Sequence, residues 1–211
     1  MSGCFITLEG GEGAGKSTQI SALKKRLEAC NLEVVQTREP GGCPSAERIR
    51  SLLVTGQPGD LGQKAELLLM EAARAEHIRQ TIKPALDRGA WVLCDRFTDS
   101  TVAYQGHGRG MDHGDIKWLN QWVTNGLEPD LTLVLDIEPD QGLKRTAQRT
   151  HNETRFEQEA LLFHQRVRAG FQNLALAEPE RFRVIDAHLP IGHVEKLIWQ
   201  AVDNVRQRKK R

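Results

Sequence analysis

The chain has 211 residues, a length that fits one domain with a real hydrophobic core, so we expect a single domain over residues 1–211. It carries 29 lysines and arginines against 28 aspartates and glutamates, and the formal charge of +1 excludes an acidic disordered chain and gives no basic bias toward nucleic acid. No apolar run reaches the roughly 20 residues of a membrane span, and the N-terminus lacks a signal-peptide pattern. The 4 cysteines form no CxxC pair. Together these observations predict a cytoplasmic protein with reduced thiols.

Short apolar runs predict the strands of a sheet, at residues 4–9, 33–38, 91–95, 131–136 and 182–186. Helical spacing of apolar residues predicts a helix after the first strand, others over 45–54 and about 63–88, and a last one with an apolar stripe from Val194 to Val205. The helix over 63–88 should bend or end near Pro84. Strands that alternate with helices predict an α/β fold, in which a parallel sheet is covered by helices on both faces.

Residues 10–17 read Gly-Gly-Glu-Gly-Ala-Gly-Lys-Ser and match the phosphate-binding pattern G-x-x-x-x-G-K-[ST] directly after the first predicted strand. Glycines let backbone N–H groups surround an anion, and the start of the next helix adds donors and a favourable dipole. We expect Lys16 to reach the β- and γ-phosphates of a nucleotide and the Ser17 hydroxyl to bind Mg²⁺. The absence of an N-K-x-D motif weighs against a GTPase.

Charged residues follow the second and third predicted strands. Asp95 and Arg96 come after the third strand and Arg38 ends the second, at the edge where an open α/β sheet binds its ligands. An aspartate there can hold Mg²⁺ or its water, and guanidinium groups bind phosphate. Arginines that face one P-loop indicate two phosphorylated ligands, and therefore phosphoryl transfer.

Other arginines allow two interpretations each. Arg74 lies in the middle of a predicted helix, where it either forms a surface ion pair with Glu71 or points inward beside Met70. The polar stretch that contains Arg145, Arg149 and Arg155 is either a lid that closes over transferring phosphates or a solvated charged face.

The chain resembles the bacterial thymidylate kinase family over nearly its whole length. The motifs that carry this resemblance lie at residues 8–17, 37–42, 72–74, 95–96, 103–106, 108–110, 129–132 and 155–157. The resemblance implies a five-stranded parallel sheet of the P-loop nucleoside monophosphate kinase type, with a short lid at about residues 145–156. It also implies phosphorylation of dTMP to dTDP with ATP and Mg²⁺, usually by a homodimer.

The resemblance further implies roles for single residues. The ATP site would comprise Gly10, Gly11, Glu12, Gly13, Ala14, Gly15, Lys16 and Ser17. Arg38 and Arg96 would hold the dTMP phosphate, with Asp95 near the reacting groups and a ligand of Mg²⁺ together with Ser17. Because the P-loop contains no arginine, Arg149 or Arg155 of the lid would act with Lys16, Asp95 and Arg96 in catalysis.

The remaining implied residues concern the nucleoside. Arg74 would bind a thymine carbonyl, Thr101 and Gln105 would lie near the base, and Tyr104 and Glu12 near the sugar. Met70 and Glu71 stand where the family commonly has an aromatic residue over the base, and the thioether of Met70 can pack against a ring in its place.

Several alternatives stay open at this point. One alternative is another nucleoside monophosphate kinase, which would need the same arginines. A second is a regulatory or nucleic-acid-linked P-loop ATPase that uses the basic tail at 206–211. The balanced charge favours a protein without a nucleic-acid partner, and the lack of a long apolar run favours one without a membrane partner. Trp118 and Trp122 fit either a subunit interface or an ordinary core. The Glu39–Pro40 bond is open to either isomer.

Overall fold

A parallel sheet of 5 strands, in the order β2-β3-β1-β4-β5, forms the centre of the computed structural model, which describes residues 3–147 and 155–209. The strands are β1 Cys4–Glu9, β2 Val34–Arg38, β3 Trp91–Asp95, β4 Leu131–Asp136 and β5 Phe182–Asp186. All four neighbouring pairs are parallel. The predicted five-stranded sheet and its α/β class are therefore confirmed.

Helices connect the strands. They are α1 Lys16–Glu28, α2 Pro44–Val54, α3 Gln63–His77, α4 Lys83–Asp87, α5 Thr98–Thr101, α6 His113–Thr124, α7 Pro139–Thr146, α8 Leu161–Ala177 and α9 Ile191–Lys209. A π-helical turn, Ile78–Ile82, joins α3 to α4, and a second one, Val102–Gly108, follows α5. The interruption predicted near Pro84 is confirmed, because this residue has no N–H to donate and the π-helical turn lies just before it. Within the described ranges, no helix combines the length and the apolar character needed to span a bilayer.

The hydrophobic core lies on both faces of the sheet. On one face, α1 and α9 pack against β1, β3 and β4. Val194, Ile198, Val202 and Val205 of the predicted α9 stripe are buried, whereas Leu197 is 38% exposed. On the other face, Ile82 and Ala85 pack against β3, while Phe163 and Val167 of α8 pack near β4. The central strand β1 is buried along its whole length, as expected for a parallel strand covered by helices on both sides.

The register of the strands brings three chain segments together at one edge of the sheet. Asp95 at the end of β3 pairs with Arg38 on β2 and with Leu8 on β1. Because the strands are parallel, the loops that follow β1, β2 and β3 leave the sheet at this same edge. This is the position where open α/β sheets bind their ligands.

Candidate active site

A cavity of about 380 Å³ opens at this edge of the sheet, within the size range of small-molecule sites. One end, here called the P-loop end, is lined by Gly13 to Thr18. The other, here called the Arg74 end, is lined by Met70, Arg74, Thr101 and Gln105. Further predicted residues that line the cavity are Glu12, Arg38, Asp95, Arg96 and Tyr104. The structure therefore brings together most of the residues that the sequence assigned to two different ligands.

The P-loop turns because glycines adopt conformations that other residues avoid. Gly13 and Gly15 have φ angles of 68° and 89°, in the left-handed region. A Cβ atom on Gly13 would lie 2.0 Å from the carbonyl oxygen of Gly142 in α7. The loop is thus pressed against α7, and α1 begins directly after Gly15.

Lys16 folds back over this loop. Its ammonium group donates to the carbonyl oxygens of Gly10 at 3.1 Å and Gly11 at 2.9 Å. Burial and the neighbouring Arg96 lower the pKa of Lys16, while Asp95 and Glu12 oppose the shift. Gly10 and Gly11 do not line the cavity themselves, and in this structure their carbonyls hold the lysine.

Ser17 and Asp95 form a polar pair below the P-loop. The Ser17 hydroxyl donates to Asp95 Oδ2 at 3.3 Å, while the other carboxylate oxygen, Oδ1, is buried and has no hydrogen-bond partner among the described residues. A hydroxyl and an unsatisfied carboxylate oxygen beside a phosphate-binding loop are the donor set that suits Mg²⁺, which binds few protein ligands and takes the rest from phosphates and water. The residues present therefore fit the predicted ion.

Arg96 and Glu12 form an ion pair at the middle of the cavity. Arg96 donates to Glu12 at 2.9 Å and to the carbonyl of Gly10 at 2.9 Å, and the Tyr104 hydroxyl donates to the same Glu12 oxygen at 2.7 Å. Burial alone would raise the pKa of Glu12, but Arg96, Lys16 and Tyr104 outweigh it and lower this pKa to about 2. Glu12 is therefore a carboxylate at neutral pH.

The backbone at Arg96 is unusual for a non-glycine residue. Its φ angle is 70°, and the next residue, Phe97, donates its N–H to the buried carboxyl group of Glu9 at 2.7 Å. The hydroxyl of Ser100 donates to the other oxygen of Glu9 at 2.5 Å. Glu9 thus holds the turn that directs the Arg96 guanidinium into the cavity, and sequence reasoning treated it only as the end of a strand.

Arg74 lies at the centre of a buried network. It donates to Glu39 at 2.9 Å, to Thr101 at 2.9 Å and to Asn120 at 3.1 Å, and it also pairs with Glu71. Both interpretations of Arg74 are thus partly right. The ion pair with Glu71 exists, but it is not at the surface, because each of the two side chains is only 3% exposed. Met70 lines the cavity beside Arg74.

Glu39 and His77, which lie behind Arg74, were not predicted as site residues. Glu39 accepts from Arg74 and from the His77 ring at 3.0 Å, and His77 in turn contacts the Thr37 hydroxyl at 2.6 Å. The bond between Glu39 and Pro40 is cis. The signal for Glu39 was its place in the Thr-Arg-Glu-Pro-Gly-Gly segment at residues 37–42, which the resemblance included without a role.

Arginines also line the rim of the cavity. Arg38 extends from the end of β2 and pairs with Glu47 at 3.1 Å, with about half of its side chain exposed. Arg50, which sequence reasoning missed, donates to the Pro40 carbonyl at 2.7 Å and lines the same rim. It lies one helical turn after the buried Ala46 of α2, and this spacing is the signal that could have placed it.

The predicted lid arginines separate in the structure. Arg149 lies outside the described residues. Arg145 lies beside the P-loop, with its guanidinium 3.5 Å from the Gly13 carbonyl oxygen. Arg155 does not line the cavity: its side chain is 1% exposed and donates to Glu66 at 2.7 Å and to the Leu53 carbonyl at 3.0 Å. A buried carboxylate and a backbone carbonyl thus occupy the Arg155 guanidinium. That Arg149 or Arg155 acts in catalysis stays a prediction.

Comparison with known proteins identifies the family. A family model described as thymidylate kinase matches residues 8–198. A thymidylate kinase from Magnetococcus marinus is 57% identical over 203 residues, covering 96% of this chain and 97% of the relative. One from Methylococcus capsulatus is 51% identical over 203 residues, covering 96% of each chain. The crystal structure of a thymidylate kinase from Ehrlichia chaffeensis aligns with a TM-score of 0.77 at 36% identity, covering 96% of this chain and 99% of the other. These findings confirm the resemblance, and the chain belongs to the thymidylate kinase family.

Proposed function

We propose that this chain transfers the γ-phosphoryl group of ATP to dTMP and releases ADP and dTDP. The observation that carries the proposal is a cavity that joins a P-loop to a buried arginine network, with Arg96 between them. Two anionic ligands bound at its two ends would meet near Arg96. Membership in the family supports dTMP as the acceptor.

At the P-loop end, the backbone and Lys16 would bind the β- and γ-phosphates of ATP. Lys16 would exchange the carbonyls of Gly10 and Gly11 for phosphate oxygens, which carry full negative charge. Ser17 and Asp95 would hold Mg²⁺, which neutralises charge on the phosphates when it is bound.

At the Arg74 end, we propose that the thymine is bound by Arg74, Thr101 and Gln105 and covered by Met70. A guanidinium has five N–H donors, and the contacts of Arg74 with Glu39, Glu71, Asn120 and Thr101 use four of them among the described residues. The last N–H, on Nη2, is the donor that would meet a thymine carbonyl.

The acceptor phosphate and sugar would lie between the two ends. Arg96 and Arg38 are the proposed ligands of the dTMP phosphate, and the rim position of Arg50 adds a further positive charge. Tyr104 and Glu12 would contact the sugar, where the ionised Glu12 can accept a hydrogen bond from the 3′-hydroxyl.

The reaction requires positioning more than proton transfer. The attacking dTMP phosphate oxygen is already an anion, so no residue needs to act as a general base. The guanidinium and ammonium groups cancel the repulsion between the two ligands and stabilise the charge of the transition state. The side chains of Val54 and Phe156 line the cavity and would help exclude water, which limits ATP hydrolysis.

An assay of ADP release across acceptors tests the proposed function. We expect turnover with dTMP to exceed that with dUMP, dCMP and dGMP, because Met70 and Arg74 surround the base position. A higher kcat/KM with another monophosphate would assign the chain to that acceptor. Turnover that is stimulated by DNA and not by dTMP would contradict the proposal; we expect no such stimulation, because we propose a cytoplasmic enzyme without a nucleic-acid partner.

We further propose that the chain forms a homodimer through α6. Trp118 and Trp122 stack on this helix with ring centroids 5.8 Å apart and are 64% and 67% exposed, which excludes a place in the core. Exposed stacked indoles favour a protein interface. Sedimentation of the purified chain should give a dimer, and replacement of both tryptophans by serine should give a monomer. A wild-type monomer at micromolar concentration would contradict this proposal.

A further inference from the structure

Glu66, near the start of α3, is almost completely buried but lies outside the cavity. Its carboxylate accepts from Gln105 at 2.9 Å, from Arg109 at 3.1 and 3.2 Å and from Arg155 at 2.7 Å. Three segments that are distant in sequence thus meet at one side chain. None of these contacts uses a residue of the P-loop.

The charges around Glu66 balance within the cluster. Arg109 also pairs with Glu159 at 2.5 Å, so two guanidinium groups face two carboxylates. Burial alone would raise the pKa of Glu66, but the hydrogen bonds from Arg109, Gln105 and Arg155 outweigh it and lower this pKa. Glu66 therefore stays ionised, and removal of its charge would leave the guanidinium groups of Arg109 and Arg155 with one counter-ion.

Each segment attached to Glu66 contributes a wall of the cavity. Gln105 lines the Arg74 end directly. The Arg155 backbone N–H donates to the Val54 carbonyl at 3.3 Å, and its guanidinium lies 5.1 Å from the ring of Phe156. Val54 and Phe156 also line the cavity. One carboxylate thus holds side chains from the π-helical turn after α5 and from the segment that follows residue 154, and Arg155 in turn contacts backbone carbonyls of α2.

We propose that Glu66 and Arg155 are positioning residues that fix the acceptor wall of the cavity, and that Arg155 acts through Glu66 on Gln105. The inference rests on the proposed function for its acceptor. If Arg155 has this role, the segment around it and the acceptor site form one structural unit. Loss of the contacts of Arg155 with Glu66 and Leu53 then weakens dTMP binding, although this arginine does not line the cavity.

The placement of Arg155 distinguishes this role from that of a phosphate ligand. Its two terminal nitrogens donate to Leu53 and Glu66, and its Nε is buried without a hydrogen-bond partner among the described residues. To reach the P-loop end it would have to leave Glu66, which would then keep Arg109 alone as its cationic partner. A positioning role requires no such movement.

The first test measures hydrogen exchange in the protein without any nucleotide. The amides of Arg109, Gly110 and Met111 donate to carbonyls of residues 104–106 and report on the turn that carries Gln105. We expect Arg155→Met and Glu66→Gln to accelerate their exchange on the order of tenfold, the scale of coupling between side chains in one network. Arg88→Met, which breaks the exposed ion pair with Glu33, is the control and should leave them unchanged. If these amides exchange in Arg155→Met at the same rate as in the wild type, the proposal is overturned, whether or not the chain binds dTMP.

The second test is calorimetric titration of dTMP in the absence of ATP. We expect both variants to weaken dTMP binding on the order of tenfold, and the double variant to lose less than the product of the two effects, because they break one network. Arg155→Lys keeps the charge and the fold and should show a smaller loss. A lid arginine that acts only on the transferring phosphate would lower kcat and leave this dissociation constant unchanged, and that result would overturn the proposal. If the wild-type chain does not bind dTMP, the proposed function fails, and the exchange experiment alone decides the role of Arg155.

Discussion

The two ends of the cavity are built from different parts of the chain. At the P-loop end, consecutive residues supply the site, and Lys16 is held by backbone carbonyls of the same loop. At the Arg74 end, one guanidinium is held by Glu39, Thr101 and Asn120, which lie 35, 27 and 46 residues away in sequence. The first end depends on backbone geometry, and the second on buried charges that compensate one another.

This difference predicts how each end responds to substitution. A side chain removed from the P-loop end exposes backbone carbonyls to solvent, which costs little stability but removes a charge from the phosphates. A side chain removed from the Arg74 end leaves an unpaired charge in the core, which costs stability as well as binding.

Substitution of Lys16 by alanine should affect catalysis most. We expect kcat/KM to fall on the order of 10³-fold or more, the scale of a single electrostatic contact to the transition state, with little change in the free energy of unfolding. Steady-state kinetics and urea denaturation measure the two quantities. Lys24→Ala, which removes the exposed ion pair with Glu28, is the control. Near-normal turnover in Lys16→Ala would contradict the P-loop assignment.

Substitution of Arg74 by alanine should reduce both stability and acceptor binding. Because Glu39 and Glu71 would remain buried without a cation, we expect the free energy of unfolding to fall by about 3 kcal/mol and dTMP binding to weaken. Urea denaturation and calorimetry separate these effects, and ATP affinity should hardly change. A fall in ATP affinity with intact dTMP binding would mean that the two ends are reversed.

Substitution of Gly13 by alanine tests the backbone geometry of the P-loop. The new Cβ would meet the Gly142 carbonyl oxygen at 2.0 Å and would need a left-handed φ angle, so we expect a loss of about 2–3 kcal/mol in unfolding free energy and weaker ATP binding. Gly11→Ala is the matched control for stability, because nothing lies within 4 Å of its Cβ position. Equal melting temperatures for the two variants would contradict this account of the loop.

Substitution of Glu12 by glutamine should change the dependence of stability on pH. The folded pKa of Glu12 is lowered from 4.5 to about 2, so its contribution is complete above about pH 5 and is lost as the pH falls through 2. We expect the free energy of unfolding of the wild type to exceed that of Glu12→Gln by about 2 kcal/mol at pH 7. This difference should shrink as the pH falls toward 2. Denaturation at pH 7, 5, 4 and 3 measures it. A difference that stays constant over this range would show that the charge of Glu12 is not the cause.

The sequence predicts the fold and the P-loop end well because their signals are local. β1, β3 and β4 are short, mostly apolar runs. The sheet edge follows from the parallel order of the strands, which is enough to place Asp95 and Arg38 together. The P-loop is one contiguous pattern, and its predicted residues all lie at or directly behind the cavity. The position of Met70 over the cavity follows from its helical spacing to Arg74.

The side-chain partners of the Arg74 end could not be predicted in this way. Nothing local indicates that Glu39 and His77 stand behind Arg74, because α3 and the loop after β2 meet only in the folded chain. Arg155 shows the same limit, because the polar stretch and the resemblance do not indicate that its guanidinium contacts Glu66 and the Leu53 carbonyl in the folded chain. Buried ion networks depend on three-dimensional neighbours, and a pattern of residue types along the chain does not specify those neighbours.

Calorimetric titration of dTMP into the full chain, with and without a nonhydrolysable ATP analogue, tests the central claim most directly. The account predicts one dTMP site per chain that remains available when the analogue is bound, because the two ends of the cavity hold different ligands. It also predicts that Lys16→Ala weakens binding of the analogue and spares that of dTMP. The absence of heat from dTMP under both conditions, or competition between dTMP and the analogue for one site, would contradict it.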